Sequence, residues 1–267
     1  MLRTLRVNAR LFLEGALLSY VALFRWLRPM TYLASKIVMP LASILFFTFL
    51  GTYATSAANA SFYVIGNAIQ IASVSGIYGV TMSIGGDRWE GTLVYLFGTP
   101  ANRLAMFVGR AFFHVLDGIL GVLIGLGWGV LLLGLDLTHT DFPALLITIL
   151  ATTFSTSGLG LLLGCVSLVS LDTMFVNNLA YFALLIFSGA NIPVTTLPGW
   201  MAAISWALPL TRGIAASRAL IAGESLATVA PLIAGEAAVG AVYILLGYAL
   251  FRWFEFQARR RGTLEAF

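Results

Sequence analysis

Residues 142–169 read FPALLITILATTFSTSGLGLLLGCVSLV, with no charged side chain anywhere in the run. At about 1.5 Å per helical residue such a run exceeds the roughly 30 Å of a bilayer's hydrocarbon core. Its neighbours repeat the pattern. Further apolar runs lie at about 29–50, 60–84, 106–135, 173–188 and 227–254. Across all 267 residues 60% are hydrophobic and 10% are charged, where a soluble domain carries about 25% charged residues. Mean hydropathy is +0.95. These values exclude an ordinary soluble enzyme, a disordered chain and a nucleic-acid module. They predict an all-α integral membrane protein with six transmembrane helices, the fifth run being barely long enough to cross.

The segment before the first run, residues 1–28, has no signal-peptide pattern. Arg3, Arg6, Arg10, Glu14, Arg25 and Arg28 fall on one helical stripe, which predicts an amphipathic helix lying in the interface. Lys36, near the start of the first span, is expected to snorkel to that interface. With the N-terminus inside, 13 of the 15 basic residues flank cytoplasmic ends, and only Arg212 and Arg218 lie outside. This positive-inside bias places both termini in the cytoplasm, including a basic tail at 255–267. Asp172 is placed to cap the fifth span.

Two connections stand out. Residues 189–226 are apolar but interrupted by Pro193, Pro198 and Pro209, so they predict a re-entrant or interfacial element rather than a crossing. Residues 85–105 form a cytoplasmic loop in which about 91–97 reads as a short amphipathic helix, stopped by Gly98 and Pro100.

Enzyme signatures are missing. The sequence holds no HExxH, no CxxC, no GxSxG and no GxxxxGK[ST]; its only lysine, Lys36, follows no glycine-rich loop. Two histidines and one cysteine make a His/Cys metal site improbable, and Cys165 alone forms no intrachain disulfide. Buried polar residues remain: His114 and Asp117 on one face of the third span, and Glu236 in the sixth. They read as a proton relay or, with the higher prior, as structural hydrogen bonds and ion pairs. Asn67 and Gln70 in the second span and Asn177, Asn178 and Tyr181 in the fifth are open to both readings. Gly121, Gly125 and Gly129 form a ridge that permits close helix approach, expected to serve packing within the subunit.

The loop Asp87-Arg88-Trp89-Glu90-Gly91-Thr92-Leu93, continuing through Leu96, Thr99-Pro100 and Arg103, closely resembles the cytoplasmic coupling segment of ABC-2 type transporter permeases. Phe187-Ser188-Gly189, Ile192-Pro193, Leu197-Pro198-Gly199-Trp200 and Leu208-Pro209-Leu210 resemble that family's extracellular re-entrant element. The tail from Gln257 to Leu264 is similar to the family's drug-resistance branch, and polysaccharide exporters are relatives. The resemblance implies a transmembrane subunit that pairs with a second copy of itself or a homologous permease. Each docks on a separate ATP-binding subunit, which would hold ATP and Mg; no cofactor is expected in this chain, and no nucleic acid. It further implies export of a hydrophobic or amphipathic substrate (a drug, antibiotic, lipid or glycan) across a prokaryotic plasma membrane. Asn67, Gln70, Asn177, Asn178 and Tyr181 then become candidates for the substrate pathway. The competing expectation is a proton-coupled secondary transporter using His114, Asp117 and Glu236; a membrane enzyme is disfavoured by the missing motifs.

Overall fold

The computed structural model describes residues 9–17, 21, 29–89, 91, 92, 95, 102–168 and 172–261. Among the described residues every regular element is helical, as the requirement that backbone groups bond within their own segment in lipid dictates. Helix α1 covers residues 9–17. Helix α2 (Pro29–Ala54) is followed by a 3-10 turn (Ala57–Asn59), α3 (Ala60–Gln70), a π-helical turn (Val74–Gly79) and α4 (Val80–Trp89). Then come α5 (Arg103–Leu133), α6 (Phe142–Ser167) and α7 (Thr173–Phe187). A 3-10 turn (Val194–Thr196), α8 (Gly199–Ala207), α9 (Thr211–Ile221) and the long α10 (Leu226–Arg261) complete the chain.

Local chemistry sets the helix ends. The side chains of Asn102, Asp141 and Asp172 accept hydrogen bonds from Ala105, Ala144 and Phe175 N–H, capping α5, α6 and α7. Gly134, at φ 65°, closes α5 in the left-handed conformation that glycine adopts without steric cost. Gly91, two residues past the end of α4, also has a left-handed φ, 66°. The predicted coupling helix, about 91–97, lies mostly outside the described residues.

Among the described residues five helical stretches are long and apolar enough to cross a membrane: 30–54, 57–86, 104–133, 142–167 and 226–257. The predicted fifth span, α7, has 15 residues and reaches about 22 Å. It is short because Asp172 fixes its start and the chain turns at Gly189, φ 81°. The second span is one stretch in outline, but it is interrupted by the π-turn. The last helix runs to Arg261, so the described part of the basic tail, 255–261, is helical and continuous with α10.

Helix α6 is the axis of the fold. It carries no charged side chain on any face, and its small residues admit neighbours closely. Gly160 lies against Gly76 of the π-turn, and Thr81 Oγ1 donates to the Gly160 carbonyl at 3.1 Å. On the opposite side a Cβ at Gly158 would come within 2.6 Å of the Gly240 carbonyl of α10. The ridge expected in α5 packs inside the subunit: Gly121 and Gly125 meet Ile71, and Gly129 meets Val64. Helix α1 seats the fully buried Ala16 and stacks Phe12 edge-on against Phe112 of α5, with ring centres 5.4 Å apart. Arg10 and Glu14 pair on its exposed side.

Candidate functional site

Three polar clusters lie within this apolar bundle. The first joins α2, the π-turn and α5. Lys36 does not snorkel outward. Its ammonium pairs with Asp117, and it also donates to Ser75 Oγ at 3.1 Å. Ser75 donates to the same carboxylate oxygen at 2.5 Å, and Tyr32 donates to the other at 2.5 Å. A carboxylate six per cent exposed is tolerable at such depth only when paired and hydrogen-bonded this fully. His114, one turn away, is buried against the backbone of Gly79, where no side chain would fit. The π-turn explains the assembly. Its widened backbone aims Ser75 at Asp117 and leaves room at Gly79 for the imidazole.

The second cluster ties α3 to the segment after α7. Asn67 Nδ2 donates to the Tyr63 carbonyl at 2.9 Å and to Asn191 Oδ1 at 2.8 Å. Gln70 Oε1 accepts from Ser188 Oγ at 3.0 Å. Arg218 of α9, which sequence reasoning treated only as an orientation charge, completes the joint. Its guanidinium donates to the carbonyls of Gly189, Ala190 and Phe62, each at 2.9 Å, and lies over the Phe62 ring at 3.5 Å. One planar fork thus gathers three backbone acceptors from two elements, a task suited to arginine's five fixed donors. The available signal was a cation in an apolar stretch with no acidic residue at helical spacing.

The third cluster is built on Glu236. This fully buried carboxylate of α10 accepts from Leu210 N–H at 2.8 Å and from Gly213 N–H at 3.2 Å. It therefore caps α9 from outside, where the helix dipole favours a negative charge. Leu210 carries a positive φ of 78°, unusual for a residue with a Cβ, and is held there by this bond and by complete burial.

The pathway candidates divide. Asn67, Gln70 and Asn177 are buried inside the subunit; Asn178 is exposed and Tyr181 half-buried. The last two meet Tyr78 of the π-turn: its hydroxyl donates to Asn178 Oδ1 at 2.7 Å, and its ring lies 5.9 Å from that of Tyr181. The re-entrant residues fold as an irregular turn, a 3-10 turn and two short helices. Ser188 and Gly189 belong to the Arg218 joint, Pro193 and Pro198 precede the 3-10 turn and α8, and Gly199 opens α8. Trp200 is 66% exposed, while Pro209 precedes the Leu210 bond to Glu236.

Of the coupling residues, Glu90, Leu93, Leu96, Thr99 and Pro100 lie outside the described residues. Asp87, Arg88 and Trp89 form the last turn of α4 and Arg103 the first of α5; their side chains too lie outside what is described. Thr92 follows the Gly91 turn. Among the described residues no group of three His, Cys, Asp or Glu side chains could hold a metal ion.

Residues 15–222 match a family model, that of the ABC-2 type transporter. The sequence matches no curated protein. The match takes in α2 to α9, with the Asp117 and Arg218 joints but not Glu236 of α10, and the apolar helices place the chain in a membrane. The chain belongs to the ABC-2 type transporter family, as an integral-membrane permease subunit.

Proposed function

We propose that this permease subunit moves a hydrophobic or amphipathic substrate outward across the membrane, driven by ATP hydrolysed on a separate nucleotide-binding subunit. The family match carries the reading. The sequence supports the division of labour, since the single lysine, Lys36, follows no glycine-rich loop and pairs with Asp117 instead. Two copies, or this chain and a homologue, form the pathway; both termini and residues 85–105 face the cytoplasm, and residues 189–226 face outward. The coupling residues Asp87 to Leu93, Leu96, Thr99, Pro100 and Arg103 receive the push of the ATP-binding subunit. The relay reading is disfavoured by the partners of its carboxylates: Asp117 is bonded by Lys36, Ser75 and Tyr32, and Glu236 by two backbone N–H groups.

The test is purification of the tagged chain from its native membrane and reconstitution into liposomes. An ATP-binding subunit copurifies, and ATP-dependent export disappears when that subunit is stripped. ATP hydrolysis by the chain alone, or export driven by a proton gradient without ATP, would overturn the reading.

A further inference from the structure

A cavity of about 510 Å³ lies between α5, α6 and α10, and no residue of the three polar clusters lines it. Its floor is one face of α6, running from Ile147 through Leu150, Phe154 and Gly158 to Leu161 at helical spacing. One wall is Val108, Ala111, Phe112 and Val115 of α5; the other is Ile233, Ala237 and Ile244 of α10. Phe12 of α1 contributes to the lining. The floor extends over about 21 Å at 1.5 Å per residue, so the cavity is a channel along the helices and not a round pocket.

Two observations define what fits it. The lining is hydrocarbon and aromatic apart from Ser157, and one hydroxyl cannot replace the hydration of a sugar or a phosphate. The channel also opens sideways. Ile147, Leu150 and Phe112 line it and are 47%, 48% and 38% exposed, and they continue into the exposed apolar surface of Leu116, Leu120 and Leu146. In a protein embedded in lipid that surface meets acyl chains. An open apolar channel of this depth forfeits dispersion contacts unless a chain occupies it.

We propose that the channel is a binding site for one acyl chain of a membrane phospholipid, lying along α6 between α5 and α10. The chain fills the gap between these helices and contacts Phe112 and Phe154. The site is separate from the substrate-pathway candidates and does not depend on the direction of transport.

The experiment uses the full-length protein in nanodiscs of phosphatidylcholine that carries a diazirine on one acyl chain. After photolysis, adducts are mapped by mass spectrometry. Adducts concentrate on the channel residues relative to Leu131 and Leu245, which are 74% and 67% exposed on the open lipid-facing surface. Ala237→Trp fills the channel and lowers adducts there about tenfold, a difference of about 1.4 kcal/mol, while those at Leu131 and Leu245 persist. Val115→Trp serves as a second filling variant should Ala237→Trp not fold. Equal labelling of channel and open surface would overturn the proposal, as would undiminished channel labelling in a folded filling variant. Loss of channel labelling confined to the dimer fraction would assign the groove to a second copy of the chain and equally overturn it.

Discussion

Gly160 of α6 and Gly76 of the π-turn touch backbone to backbone: a Cβ on Gly160 would collide with the Gly76 carbonyl oxygen. Neither partner has a flexible side chain to yield. The contact fixes the second span against the central helix at the level where Ser75 and Gly79 serve the buried polar cluster.

Gly160→Ala should therefore destabilise the protein by about 1–3 kcal/mol through overpacking, despite alanine's better helix propensity. Gly86 is the matched control, since it sits in α4 with open space around it. Gly86→Ala should be neutral or stabilising by about 0.4–1 kcal/mol. Thermal unfolding in detergent compares the two, and equal melting temperatures would contradict the close contact.

The Lys36–Asp117 pair is expected to behave as a unit. Asp117→Leu strands a buried ammonium and should cost about 3–5 kcal/mol. Lys36→Met combined with Asp117→Leu removes both charges and should recover most of that loss, because a buried pair is often replaceable by apolar side chains. A double variant no better than the single one would show that the pair has another partner in the fold.

Arg218→Met removes all three donors to the Gly189, Ala190 and Phe62 carbonyls. Arg218→Lys should fail to rescue, since one ammonium cannot span acceptors on two elements. The readout is thiol labelling of a cysteine at position 191 in a Cys165→Ser background. Both variants should expose that position, and full protection in Arg218→Lys would refute the fork geometry.

Glu90→Ala tests coupling. If the carboxylate only caps a helix, its loss costs about 1 kcal/mol and export falls about fivefold. If it transmits force from the ATP-binding subunit, export should fall about 100-fold, or about 2.7 kcal/mol, with membrane insertion intact. Wild-type export and wild-type ATPase stimulation would remove Glu90 from the coupling assignment.

Of the six apolar runs, one, 173–188, is the 15-residue α7, and the other five correspond to described helical stretches long enough to cross, because length and hydropathy are local properties. Asp172 was legible as a cap for the same reason, and Gly121, Gly125 and Gly129 as a packing ridge. What escaped the sequence was pairing at a distance. Lys36 sits 81 residues from Asp117, and nothing near it in the chain distinguishes an inward ammonium from a snorkelling one. Arg218 has carbonyl partners, which every residue possesses and no sequence pattern marks. The π-turn at Val74–Gly79 was hidden too: Ser75, Gly76 and Gly79 read as ordinary small residues until the elements packed against them are known.

Glu236 has a consequence for synthesis. A chain made from its N-terminus presents Leu210 and Gly213 well before residue 236 leaves the ribosome. Until then the start of α9 lacks the carboxylate that accepts from its Leu210 and Gly213 amides, and Leu210 lacks the bond that holds its positive φ. The element between α7 and α10 therefore cannot settle in sequence order. Its final shape waits for the last helix to pack against it, so a truncation that stops before residue 236 leaves an unfinished segment for quality-control proteases to recognise.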